Sequence, residues 1–531
     1  MLGPWGDLCA KRISRRASMT LVIVLSVLVG AISYASVGYL DRAGTASACA
    51  RRPVSGTSVL PGAPAVVAAG LAKALFGCAP TVVIANANRA ADVAAAVGMA
   101  EQAHAPLLLS WPMAPATTAA SYRGDAAGAR QARLTASVGT VALREISDLR
   151  PRSVLAVGLT TAELSAEMPW AHVTTNPAGL PGMSRPAPLG RVVVLAPAGR
   201  SAVAMAATAT AEAAGVTVVG VRGYDPRGDP AAVAALSAIR PRQVIAVGSG
   251  FGPTSRLVAR LAVARTGVQL PGGGQLVVPM HRLVALYGHP GVPALGALGQ
   301  QGLQASITRA RHAAAAYRAL SSVPAVPAFE IITTVATAAP GNDGTYSSET
   351  PVASLRPWVE TATKAGMYVI LDLQPGRASF LAQARIYQSL LRMPNVGLAL
   401  DPEWKLQPRQ LPLRQIGSVS ITEVNGVVNW LAQLTARYRL PQKLVVLHQF
   451  KLGEIADEKR LDTSNDDLAI VINMDGQGTP AMKRQTWDAV TAAAPPGVPF
   501  GWKDFYVKDQ PMLNPSQTMA RTPNPVMISY Q

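Results

Sequence analysis

The sequence predicts an α/β protein whose C-terminal half closes into a TIM-like (β/α)8 barrel. Ahead of it the sequence predicts duplicated parallel α/β units and an N-terminal transmembrane helix. Three observations carry this. Eight apolar, strand-like segments recur through the C-terminal half, most separated by helix-length stretches. A nine-residue phrase occurs twice upstream, as RPRSVLAVG from Arg150 and RPRQVIAVG from Arg240. The run from Met19 to Leu40 is uncharged and mostly apolar.

The N-terminal elements come first. Residues 1–18 form a basic tail containing Lys11, Arg12, Arg15 and Arg16. Residues 19–40 are long enough to span a bilayer as a helix, since about 20 apolar residues suffice. The basic flank stays on the cytoplasmic side, which puts the bulk of the chain outside. A cleaved signal peptide ending near Ser33-Tyr34-Ala35 is the competing reading. The apolar run continues to Leu40, which favours an uncleaved anchor. Both readings export the body of the protein. Residues 41–78 read as a linker. Cys49 and Cys78 bracket it in a compartment where disulfides persist, so the pair is expected to bridge, against two free thiols. Cys9 falls on the cytoplasmic side.

Residues 79–270 hold the internal repeat. TVVIANANRA from Thr81 resembles RVVVLAPAGRS from Arg191, and each runs into an Ala-rich helical stretch. A strand follows each helix, APLLLSW in the first unit and VTVVGVR in the second. Strand–helix–strand alternation predicts parallel sheets. The first unit carries an extra loop around Met113 to Arg130. Asn88-Arg89-Ala90-Ala91-Asp92, Pro106-Leu107-Leu108-Leu109-Ser110 and Val154-Leu155-Ala156-Val157-Gly158 resemble the cell wall-binding repeat type 2 family of Gram-positive surface proteins. The family's second Gly is Leu159 in the first unit and Ser249 in the second, and its usual three copies reduce to two. The resemblance implies a non-covalent, wall-facing binding module. Gly248-Ser249-Gly250-Phe251-Gly252 lacks the third Gly of a dinucleotide fingerprint, and no phosphate loop occurs, so no cofactor is expected. Leu270-Pro271-Gly272-Gly273-Gly274 reads as the linker into the barrel.

The barrel spans 279–531. Its strands are RLVALYG from Arg282, FEIITTVA from Phe329, MYVILDL from Met367, VGLAL from Val396, KLVVLHQF from Lys443, LAIVINM from Leu468, FGWKD from Phe500 and VMISY from Val526. Continuous apolar strands alternating with helices fit a sheet buried on both faces. Eight units in about 250 residues match a closed barrel, whose site lies at the C-terminal strand ends.

Composition bounds the partners. The chain has 531 residues with 48 Lys and Arg against 30 Asp and Glu, a net charge of +18. Residues 1–278 carry 25 basic and 12 acidic side chains; the rest carry 23 and 18. The excess therefore lies mostly outside the barrel. A coding bias towards Ala, Gly, Pro and Arg explains it as well as attraction to an anionic surface. Scattered basic residues and export argue against nucleic acid. No ligand spacing supports a metal.

The strand ends carry acids. Asp372, Asp401, Glu403 and Asp475 are expected to converge on the mouth with His289, Gln374, His448, Gln449, Lys503 and Tyr530. Asp401 and Glu403 share a face if their strand continues to Trp404. Trp404 is placed to stack on a sugar, and Tyr346 lies in a lid loop. Asp-x-Glu at a strand end resembles several barrel glycosidase families, which implies catalysis by paired carboxylates. Glu403 is the expected acid, in the least solvated position, with Asp401 or Asp475 as its partner. Asp372 and Asp401 also suit helix capping. The reading is an exported, membrane-anchored glycoside hydrolase acting on cell-wall polysaccharide. Its alternative is a barrel that binds glycan without cleaving it.

Overall fold

The computed structural model describes residue 49 and residues 55–110, 139–181 and 186–531. The basic tail, the expected anchor Met19–Leu40 and the loop Met113–Arg130 lie outside the described residues. No described helix is long and apolar enough to cross a membrane. Two compact units emerge. One comprises residues up to Gly220 with Pro241–Thr254. The other comprises Val221–Arg240 with Ser255–Gln531.

The first unit contains two four-stranded sheets. One orders its strands β3 (Leu107–Ser110), β2 (Thr81–Asn86), β4 (Ser153–Val157) and β5 (His172–Thr174). The other orders β7 (Thr217–Val221), β6 (Val192–Pro197), β8 (Gln243–Val247) and β1 (Gly56–Leu60). β1 pairs in parallel with β8, Gly56 opposite Gln243. Residues 56–75 are therefore not a linker, as the sequence suggested. They form an edge strand and the helix Pro64–Leu75, opened by a proline at its first position, where the missing N–H costs nothing. Val67, Leu71 and Leu75 of that helix join Ile84, Val154, Val194 and Ile245 in one core. Cys49 and Cys78 are bridged, with Cα atoms 4.6 Å apart.

In the second unit eight parallel strands close a barrel. They are β9 (Arg282–Gly288), β10 (Ala325–Ala336), β12 (Tyr368–Leu373), β13 (Val396–Leu400), β15 (Lys443–Gln449), β17 (Leu468–Met474), β18 (Phe500–Asp504) and β19 (Met527–Tyr530). β19 returns to β9, Met527 opposite Leu283 and Tyr530 opposite Leu286. β11 (Ser347–Glu349) hangs antiparallel on β10, and β14 (Val419–Ser420) pairs with β16 (Ile455–Ala456). Side chains alternate. Leu283, Ala285, Ala328, Ile370, Ala399, Val446 and Val471 fill the interior. Val284, Leu286, Phe329, Leu371, Leu398, Leu447 and Ile472 pack outward under the helices.

The bottom of the barrel is built from residues that the sequence assigned elsewhere. Leu270 and Val277 belong to the interior core. Gly272, Gly273 and Gly274 all have positive φ, and their turn is held by Gly273 N–H to Leu270 O at 2.9 Å and Gly274 N–H to the Gln269 side chain at 2.7 Å. A Cβ on Gly272 would lie 2.6 Å from the His281 ring. Three glycines in a row here make a packed turn that only glycine can adopt, not a linker. Arg227, with a side chain only 2% exposed, reaches Asp225 and Asp466 at 2.9 Å, and Arg260 meets both acids.

Candidate functional site

The site grows out of strand parity. Ile370 and Ala399 face inward, so Asp372 and Asp401, two positions further on, also face inward. The same count brings in Tyr287, Glu330, His448, Asn473, Asp475 and Lys503. Asp372, Glu330 and Asn473 have no solvent exposure; His448, Asp401, Lys503 and Asp475 are also buried. β13 stops at Leu400 and does not continue to Trp404, as the sequence reading required. Pro402 opens a 3-10 turn, Pro402–Trp404, which its fixed φ favours and strand pairing does not. Glu403 still reaches the mouth, from the turn.

His448 is the hub. Its Nε2 lies 3.0 Å from Glu330 Oε1 and 3.9 Å from Asp372 Oδ1, and its Nδ1 lies 3.3 Å from Asp475 Oδ2. Burial opposes a charged imidazole here. Glu330, assisted by the contact with Asp475, more than offsets this and holds the pKa well above the ordinary histidine value, although Lys503 opposes it. An imidazolium donates from both nitrogens, so Nδ1 serves Asp475 rather than accepting from Asn473 Nδ2 at 3.5 Å. Tyr287 donates to Asp372 Oδ2 at 2.9 Å, and Gln374 donates to the Tyr287 hydroxyl at 3.3 Å. Lys503 Nζ lies 3.5 Å from the centre of the Tyr287 ring, a cation–π contact.

Acids outnumber cations, and their protonation reflects it. Burial raises Asp372 to about 6, with His448 opposing and Glu330 reinforcing the shift. Burial, then the charges of Glu403 and Asp372, push Asp401 well above the carboxylate range. Glu403 rises to about 7, through burial first and Asp475 second, while Lys503 and His448 pull it back. Glu454 rises to about 8 from burial and Asp475, against hydrogen bonds from the Phe450 and Lys451 amides. Asp401 Oδ1 and Asp475 Oδ1 are buried without a hydrogen-bond partner in the protein.

Above these groups lies a cavity of about 460 Å³. Glu403 and Asp475 are the two side-chain carboxyl groups on its wall, with Lys503, Lys508, Gln374, Tyr287, Trp404, Phe450 and Phe505. Asp372 and Asp401 are not on the wall. Glu403 is half-buried, more open than Asp372 or Asp401, so it does not hold the least solvated position that the sequence reading gave it. A turn projects it into the cavity, while strand positions retreat into the barrel.

Four expected site residues lie elsewhere. Gln449, one place after His448, points outward and donates to Glu458 at 3.2 Å. Tyr530 also points outward, into the helix-facing core, where its hydroxyl meets that of Tyr317 at 2.6 Å. His289 is tied to Thr350 Oγ1 at 3.0 Å and the Pro290 carbonyl at 2.9 Å. Tyr346 lies under the Arg377 guanidinium, 4.4 Å from ring centre to Cζ. Neither His289 nor Tyr346 lines the cavity. Conversely, the sequence reading missed Glu330 and Tyr287. An acid within the apolar run FEIITT, in register with inward Ala328, was the available signal. Among the described residues no group of three or more His, Cys, Asp or Glu is arranged to hold a metal ion.

Fold and site together define a β/α-barrel protein with a carboxylate-rich mouth. No protein-family model and no curated protein matches the chain.

Proposed function

We propose that the barrel hydrolyses a cell-envelope glycan, with Glu403 as general acid and Asp475 as the second carboxylate. The observation that carries this is the cavity wall: its two side-chain carboxyl groups are Glu403 and Asp475, and burial, then the Asp475 charge, pushes Glu403 up to about 7. An acid poised near neutrality can protonate a leaving glycosidic oxygen. Trp404 offers a face for a sugar ring beside it. Asp475 is oriented by His448, while Asp401, the other candidate partner, is off the wall. The floor acids Asp372 and Glu330 position Tyr287 and His448.

The first unit is read as the wall-binding module, in line with the cell wall-binding repeat type 2 resemblance. Both of its sheets place the RPR-x-V strand, β4 or β8, beside the strand that opens each unit, β2 or β6. This shared order supports duplication. The fourth strand differs in origin: β5 follows its unit, while β1 precedes both. Met19–Leu40 is read as the anchor that keeps the bulk of the chain outside the cytoplasmic membrane.

The test uses the full chain in detergent with purified wall polysaccharide, measuring new reducing ends. Wild type should release them, and Glu403→Gln should lose at least about 100-fold, the usual contribution of a general acid. Asp475→Asn should lose comparably. Retained wall binding with no release by wild type would replace hydrolysis by glycan binding alone.

A further inference from the structure

The rim around the cavity is unexpectedly apolar. Ten large apolar side chains are exposed among residues 279–531, and eight of them lie on segments that follow the C-terminal end of a barrel strand. Scattered exposed apolar residues are ordinary; their concentration at one end of a barrel is not. Leu413 is 81% exposed, Val507 78% and Met482 57%. Leu413 also holds a φ of 61°, a costly conformation for a branched side chain, with no burial to offset it.

Cations accompany these tips. Arg414 follows Leu413, Lys508 follows Val507, and Lys451 precedes exposed Leu452; all three cations are exposed. Three exposed acids, Asp343, Glu349 and Asp457, also lie on this end, none of them adjacent to a tip. A second cavity of about 320 Å³ shares Glu403 and Trp404 with the first, and its further walls are Leu406, Pro412, Leu413 and Ile416 with Arg414 and Gln415. The two cavities thus adjoin at Glu403 and Trp404, and the second combines an aliphatic wall with one cation, Arg414.

We propose that the barrel mouth seats on an anionic lipid bilayer and that its glycan is carried on a lipid, whose chain enters the second cavity. Apolar tips flanked by cations make an interfacial surface: the tips enter the acyl boundary, and the cations meet headgroup phosphates. The uncharged run Met19–Leu40, read as an anchor, would hold the chain at the same membrane. A mouth seated on lipid receives its substrate from the lipid side. The seating stands independently of catalysis; the lipid-borne glycan rests on the hydrolytic reading above.

The full chain, in a Cys9→Ser background, is reconstituted in nanodiscs and labelled with an environment-sensitive fluorophore at Leu413→Cys, Val507→Cys or Leu320→Cys. Leu320 is exposed but precedes β10, at the opposite end. With phosphatidylglycerol present, labels at 413 and 507 should shift to the blue and be quenched by a lipid-borne quencher, while 320 stays aqueous. Aqueous labels at 413 and 507 overturn the seating. So does protection that scales with protein rather than lipid, which would mark a second copy as the cover. Equal protection in phosphatidylcholine alone overturns the anionic requirement. Glu403→Gln should keep the shift, so an intact shift without wild-type turnover counts against hydrolysis and not against seating. A lipid-linked glycan cleaved no faster than the same glycan without its lipid overturns the substrate assignment.

Discussion

At the scale of single residues, Glu403 differs from the acids below it. Asp372 and Asp401 are sealed in the barrel; Glu403 touches the cavity and retains its proton near neutrality because burial, and then Asp475, disfavour its charge. Infrared difference spectra should show a carboxyl C=O band that bleaches as pH rises through about 7 and is missing from Glu403→Gln. A band that is unchanged in the variant would remove Glu403 from this role. Legibility was uneven at this scale. Asp372, Asp401, His448, Asp475 and Lys503 could be read because they end apolar strands. Glu330 and Tyr287 sit a turn of the pleat earlier, among residues that read as core, and only the inward register distinguishes them.

Elements decide which neighbours can cooperate. His448 and Gln449 are adjacent in sequence yet face opposite sides of β15, so a strand end supplies one site residue, not two. Tyr530 falls on the outward register of β19 for the same reason. The triple glycine shows the converse limit. Composition marks a break in regular structure, but only contacts reveal that the break is a packed turn beneath the barrel. Gly272→Ala should therefore destabilise the protein by about 1–3 kcal/mol, through a left-handed Cβ driven towards His281. Chemical denaturation measures it; an unchanged midpoint would restore the linker reading. Arg227→Ala should cost about 2–3 kcal/mol, less than a sealed pair because Asp466 is 39% exposed. Arg227→Lys, retaining charge without the fork, should recover part of that loss in the same measurement.

Over the whole molecule, the barrel was legible because eight repetitions of one pattern reinforce each other. The placement of β1 was not, since an edge strand pairing across nearly 190 residues of sequence leaves no periodic trace. The concentration of buried acids has a global consequence. Asp372 and Asp504 titrate at about 6, Glu403 at about 7 and Glu454 at about 8 when folded. Unfolded carboxyls titrate near about 4. Between these values the folded chain binds protons that the unfolded chain has released, so the contribution of these groups to stability is fully present below about pH 4 and is lost as pH rises to about 8. His448, also raised, acts in the same direction. Lys443 acts oppositely. Burial lowers it to about 7, although its amine donates to the Met393 and Val396 carbonyls at 2.8 Å, so it adds stability as pH rises above that point. The melting temperature should fall between about pH 5 and pH 7.5, and Glu403→Gln should flatten that fall. A melting temperature that rises over this range would contradict the buried-acid arrangement.

The most direct test of glycan hydrolysis by Glu403 is the pH dependence of kcat/KM for the full chain, compared with Lys503→Met. Lys503 lowers the Glu403 pKa, so its removal should raise it. The rate should decline above about pH 7 in the wild type, with the declining limb displaced to higher pH in the variant. A limb unmoved by Lys503→Met, or a wild-type rate that climbs through the same range, would contradict it.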